Sequence, residues 1–140
     1  MIRGYARLGF LAVAWLLVVC LVVQVFLAGL GVFQNASNFA THREFAYLFG
    51  WLSVVMLVLA LVGRMPRSYA GWSVALFLLM GLQSVFVLLR QSAPALAALH
   101  PVNGFLILFI AIAVARRARS YASWPVEAAV EPPPSEPGPG

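Results

Sequence analysis

The sequence predicts an all-α membrane protein: a four-transmembrane-helix up-down-up-down bundle with both chain ends on the cytoplasmic side. Three observations predict it. The 140 residues are 63% hydrophobic and only 9% charged. The apolar residues fall into four long runs separated by short links. The arginines gather on alternate links. Soluble domains run to about half apolar and about a quarter charged, so lipid is the solvent for most of this chain.

The first run covers residues 8–33 without a charge, the second about 42–63, the third 69–89 and the fourth 95–115. A spanning helix needs about 20 mostly apolar residues, and all four runs reach that length. Backbone groups in hydrocarbon must be satisfied within their own segment, which makes each run helical. The first run is too long for a signal-peptide core of about 7–15 residues. Leu17-Val18-Val19-Cys20 resembles a lipobox, but Val19 is larger than the residue such a site needs before its cysteine. Cys20 is the sole cysteine and reads as a small hydrophobe.

Gln34-Asn35-Ala36-Ser37-Asn38 is a polar turn, Arg64-Met65-Pro66-Arg67-Ser68 a basic one, and Arg90 to Pro94 the third link. Links this short make sequential helices antiparallel neighbours. Asn35-Ala36-Ser37 matches a glycosylation sequon, and the turn reading is preferred. Arg3, Arg7, Arg64, Arg67, Arg116, Arg117 and Arg119 lie on one side, against Arg43 and Arg90 on the other. Positive charge stays cytoplasmic, so the ends and the middle link are expected inside. Residues 120–140, rich in proline and carrying three glutamates, are expected to form a disordered cytoplasmic tail. Tyr121 and Trp124 fit the headgroup level before it.

The formal charge of +5 comes from arginine alone, without lysine or aspartate. Placed at the ends of apolar runs, these cations form no phosphate footprint, so no nucleic-acid partner is expected. Arginine without lysine, beside abundant alanine and proline, suggests a GC-rich bacterial genome and a cytoplasmic (inner) membrane location.

Weak internal duplication runs through the chain. Gln24 precedes His42 by 18 residues, Gln83 precedes His100 by 17, and each histidine is followed four residues later by a small residue, Ala46 and Gly104. His42 and His100 are the only histidines. Both are expected in the outer leaflet, on the second and fourth helices, which are diagonal partners in such a bundle. His100 would lie roughly 9 Å along its helix at 1.5 Å per residue.

Axial histidines can hold haem iron, and bundle cores are a usual place for it. Ala46 and Gly104, one turn from the histidines on the same face, leave room for a porphyrin, with Phe45, Phe49 and Phe105 around it. Arg43 is positioned for a propionate, whose carboxylate fork matches guanidinium. For each histidine the blander reading is an interfacial residue without a cofactor. Arg43 alone reads as a snorkelling anchor, and Gln24, Gln83 and Asn103 as interhelical hydrogen-bond glue. Zinc is a poorer fit, since it wants three or four ligands and Glu44, two residues from His42, points to a different helix face. Nucleophilic catalysis lacks an aspartate or a nearby cysteine, and ion transport lacks a midplane acid.

With His42-Arg43 opening one helix and His100 opening the helix two later, the chain resembles one half of a haem A synthase. It is also similar to a small bacterial four-helix membrane family of unknown function with a His-Arg helix start and a later His-Pro-Val-Asn-Gly stretch, here His100-Pro101-Val102-Asn103-Gly104. The resemblance covers roughly residues 5–119 and implies haem ligation by His42 and His100. The synthase carries an acidic residue shortly before its His-Arg pair, where this chain has Phe39, Ala40 and Thr41. Its oxygenase activity is therefore not carried over.

The expectation is one bis-histidine haem b near the outer face, serving electron transfer or a redox complex, with a membrane complex or quinol as partner. No catalytic residue is assigned, and the chain is not expected to be an enzyme on its own. The competing expectation is a cofactor-free subunit of a larger membrane complex, docking through Gly29, Gly31, Gly63 and Gly81.

Overall fold

The computed structural model describes residues 1–122; Trp124 and the expected Pro-rich tail beyond residue 122 fall outside them, while residues 120–122, expected in that tail, belong to the last helix. Six helices follow one another: α1 (Ile2–Phe33), α2 (Asn38–Phe49), α3 (Leu52–Val62), α4 (Arg67–Leu88), α5 (Pro94–Ala97) and α6 (Leu99–Ala122). α2 and α3 make one span, Asn38–Val62, and α5 and α6 another, Pro94–Tyr121. With α1 and α4, four helical spans are long and apolar enough to cross a membrane. No strand occurs among the described residues.

The helices are longer than the apolar runs. α1 begins at Ile2 rather than residue 8, and α6 runs through Arg116, Arg117 and Arg119 to Ala122. Arginine is a good helix former, and its long stem can lie along apolar surface while its charge reaches water, so it does not end a helix. α1 has 32 residues, roughly 48 Å at 1.5 Å per residue, more than a hydrocarbon core of about 30 Å. The second span begins at Asn38, so His42 lies one turn inside its helix instead of opening it.

Breaks in the two composite spans have local causes. Pro101 has no N–H to offer Ala97, and its ring crowds that carbonyl; the helix is interrupted at Ala98. Pro101 is at the same time the third residue of α6, where a missing N–H costs little. At Gly50 and Trp51 the turn stays right-handed, and the Ser53 hydroxyl donates to the Gly50 carbonyl at 2.9 Å.

The spans form a closed square, each packing on its neighbours in sequence and the fourth returning to α1. The second and fourth spans are thus diagonal. Arg7 ties the start of α1 to the end of α3, its Nε donating to the Gly63 carbonyl at 3.0 Å. Tyr69 at the start of α4 donates its hydroxyl to the Arg117 carbonyl near the end of α6 at 3.1 Å. Met1 and Ala122 therefore lie at the same end, the arginine-bearing one.

The buried side chains crowd toward that end. Phe10, Ala14 and Leu17 of α1, Met56 and Ala60 of α3, Tyr69 and Leu76 of α4, and Ile107, Ala111, Val114, Ala115 and Ala118 of α6 form one cluster. Many are small, which lets the helices approach closely. Ser53 and Ser73, fully buried, satisfy their hydroxyls within their own spans, on the Gly50 and Tyr69 carbonyls. Nearly everything facing outward is apolar, including Leu16, Val22, Phe26, Leu78 and Phe109. An apolar surface of this extent calls for lipid, and the chain reads as a multi-pass membrane protein.

Candidate functional site

At the arginine-poor end, residues 22–48 and 77–102 contain a single buried residue, Gly31. Here the helices are joined by polar contacts. The Nδ1 of His42 lies 3.1 Å from the Gln24 carbonyl, and that of His100 lies 3.3 Å from the Gln83 carbonyl. Gln24 returns the link, its Nε2 donating to the His42 carbonyl at 2.8 Å. Asn103, buried one turn from His100, donates Nδ2 to the Leu79 carbonyl at 2.9 Å and to Gln83 Oε1 at 3.1 Å. The glutamine and asparagine side chains are interhelical links, as expected, while the glutamine backbones hold the histidines. The 18- and 17-residue spacings become two copies of one hairpin contact.

The copies meet across the square. The rings of His42 and His100 have centroids 6.2 Å apart and planes inclined by 58°. Two imidazoles at this separation would suit one metal ion held between them, with metal–nitrogen bonds of about 2.0 Å. A neutral imidazole whose Nδ1–H donates to a carbonyl presents Nε2 as its ligand nitrogen. Both rings are half-buried.

Phe39 braces His42 edge-on, with centroids 6.3 Å apart. Its ring occupies the notch left by Gly31, where an added Cβ would come within 2.7 Å. The sequence offered Gly31 only as a docking glycine and Phe39 only as a departure from the synthase, and nothing in it marked the two as partners. The remaining candidates divide. Arg43 is exposed next to His42. Ala46 packs against the edge of the core. Gly104 faces Gln83, whose amide nitrogen would lie 3.1 Å from an added Cβ. Phe45 and Phe49 stack at 5.1 Å, with Phe49 in the core, whereas Phe105 is exposed.

The copies differ in one respect. Gln83 Oε1 accepts from Asn103, three residues after His100. Phe45 stands three residues after His42 and offers no donor, and Gln24 Oε1 is buried with no partner. Among the described residues no three His, Cys, Asp or Glu side chains converge, so the donor set here is two imidazoles.

A family of unknown function, DUF6220, matches residues 24–90, a little under half of the chain. The matched stretch includes Gln24, His42 and Gln83 and stops before His100. No curated protein and no solved structure matches the chain. The likeness to haem A synthase thus rests on the His42-Arg43 and His100 residues alone.

Proposed function

We propose that the chain is a membrane haem b protein of a bacterial inner membrane, in which His42 and His100 would hold the haem iron, with the arginine-bearing end cytoplasmic. The observation that carries this reading is the 6.2 Å separation of two imidazoles whose Nδ1 atoms both face backbone carbonyls. Outer-shell partners of this kind fix a ligand histidine's tautomer and orientation. Further support comes from the arginine-poor half of the bundle, where the histidines are bordered by almost no buried side chain.

Haem b supplies one-electron redox chemistry when bound, and two axial imidazoles favour electron transfer over oxygen chemistry. Gln24 and Gln83 would hold the ring tautomers, Phe39 would brace His42, and exposed Arg43 is the candidate propionate partner. Ala46 and Gly104 add little bulk beside the histidines, although Ala46 rests on the core edge and Gly104 already faces the Gln83 amide. One such site near one face cannot carry electrons across the bilayer, so a redox complex or a quinol is the expected partner.

The test is a visible spectrum of the protein purified from haem-replete cells, oxidised and dithionite-reduced. A reducible bis-imidazole band is expected, lost in both His42→Ala and His100→Ala. A colourless protein, or a band unchanged in both variants, sinks the proposal. A cysteine at Ser37 should be labelled only from outside; labelling only from the cytoplasm would invert the topology.

A cofactor-free subunit is the second reading. It is favoured by Gly29 and Gly81, where an added Cβ would meet nothing within 4 Å, leaving small positions open to a partner's helix. Gly31 and Gly63, by contrast, are filled from within the chain, by Phe39 and Arg7.

A further inference from the structure

At the opposite end a cleft of about 140 Å³ opens between α4 and α6, lined by Ser68, Tyr69, Trp72, Ile110, Val114 and Arg117 among others. Its mouth is polar and cationic, while its walls along the helices are apolar. Tyr69 is committed to the Arg117 carbonyl. Arg7 is likewise occupied, held by the Gly63 carbonyl and stacked over the Tyr121 ring at 5.1 Å. The Arg117 guanidinium stands beside the Tyr69 hydroxyl and lines the cleft and, further along, a second hollow with Ser120 and Tyr121. Arg64, Arg67, Arg116 and Arg119 stand at the same end, all exposed.

No carboxylate balances them among the described residues. Glu44 is the one acid in residues 1–122, and it lies beside His42 at the other end. A cationic group at headgroup depth, over an apolar groove walled by a half-exposed tryptophan, matches a molecule with an anionic head and hydrocarbon chains. Basic pockets between spanning helices bind lipid headgroups by this logic, and tryptophan favours the interface.

We propose that this cleft binds an anionic phospholipid, its headgroup phosphate held by Arg117 and the Ser68 hydroxyl and an acyl chain laid along Trp72, Ile110 and Val114. The proposal is independent of the haem reading, since it concerns the other end of the bundle.

The experiment uses the full chain with Trp72 as its sole tryptophan (Trp15, Trp51 and Trp124 replaced by Phe) in phosphatidylcholine vesicles. Quenching of Trp72 by brominated phosphatidylglycerol is compared with quenching by brominated phosphatidylcholine at equal mole fraction. One basic side chain near the surface is worth roughly fivefold in anionic-lipid binding. Phosphatidylglycerol should therefore quench at about fivefold lower mole fraction, and Arg117→Gln should remove that preference while Arg90→Gln leaves it. Equal quenching by both lipids, or a preference that survives Arg117→Gln, overturns the proposal. So does a preference that appears only when residues 123–140 are deleted, which would make the glutamates of that segment the native occupant. Should the tryptophan-poor variant fail to fold, native mass spectrometry of the natural chain and of Arg117→Gln reads the same preference as retained lipid.

Discussion

The arginine-bearing half and the histidine-bearing half of this bundle are held together in different ways. In the first, Phe10, Leu17, Met56, Leu76 and Ile107 are sealed from the surroundings, and alanines and serines let the helices close around them. In the second, Gly31 and Asn103 are almost the only buried residues, and the spans are joined by imidazole, amide and carbonyl groups. Inside a bilayer, packing and interhelical hydrogen bonds are the alternatives that remain once the hydrophobic drive between helices is gone. This chain uses packing at one end and hydrogen bonds at the other. The packed end carries most of the buried core, while the other end is tied by a few polar contacts.

That contrast is open to direct attack. Phe10→Ala, in the packed half, should cost about 3–5 kcal/mol, whereas Val25→Ala, on the exposed face of the histidine half, should stay within about 0.5 kcal/mol. Unfolding in detergent by heat or SDS measures both, and similar costs would break the comparison. Asn103→Leu strips Gln83 Oε1 of its donor and should cost about 1–2 kcal/mol. If it costs nothing, the polar links do not hold that half together.

Two smaller effects would sharpen the picture. Arg64 sits at φ 47°, in the left-handed region. Its N–H reaches the Leu61 carbonyl and that of Met65 the Ala60 carbonyl, the paired bonds of a Schellman cap. Arg64→Gly should relieve the strain and raise stability by about 1 kcal/mol, in the packed half alone. Gly31→Ala should displace the half-exposed Phe39 ring at under about 1 kcal/mol. In the haem-loaded protein it should still shift the visible band, because His42 loses its brace. An unmoved spectrum would remove Phe39 from the site.

Much of the architecture was legible along the chain. The four spans, their antiparallel order and the diagonal placement of His42 and His100 follow from run length and link length. The ends of the helices did not, because Arg7 and Arg116 to Arg119 were read as boundaries although arginine continues a helix readily. The Gln24–His42 and Gln83–His100 spacings were visible as a repeat, yet their meaning was hidden. The contact is made by a backbone carbonyl, which every residue possesses and no sequence pattern marks. Gly31 was legible only as one of four glycines open to a partner, whereas its notch is filled by Phe39 of the same chain.

By itself the sequence determined that this chain lives in lipid, how often it crosses, and which two side chains are chemically unusual there. Those facts are sums over local composition against a bilayer of fixed thickness. Only the tertiary structure decided that the two imidazoles come within 6.2 Å of one another between ring centres, that Gln83 gains Asn103 while Gln24 Oε1 stays orphaned, and that the tight core lies at the arginine end. Those outcomes depend on the rotation and register of each helix against its neighbours. An apolar run facing lipid on one side and protein on the other leaves both unspecified until side chains from separate spans interlock.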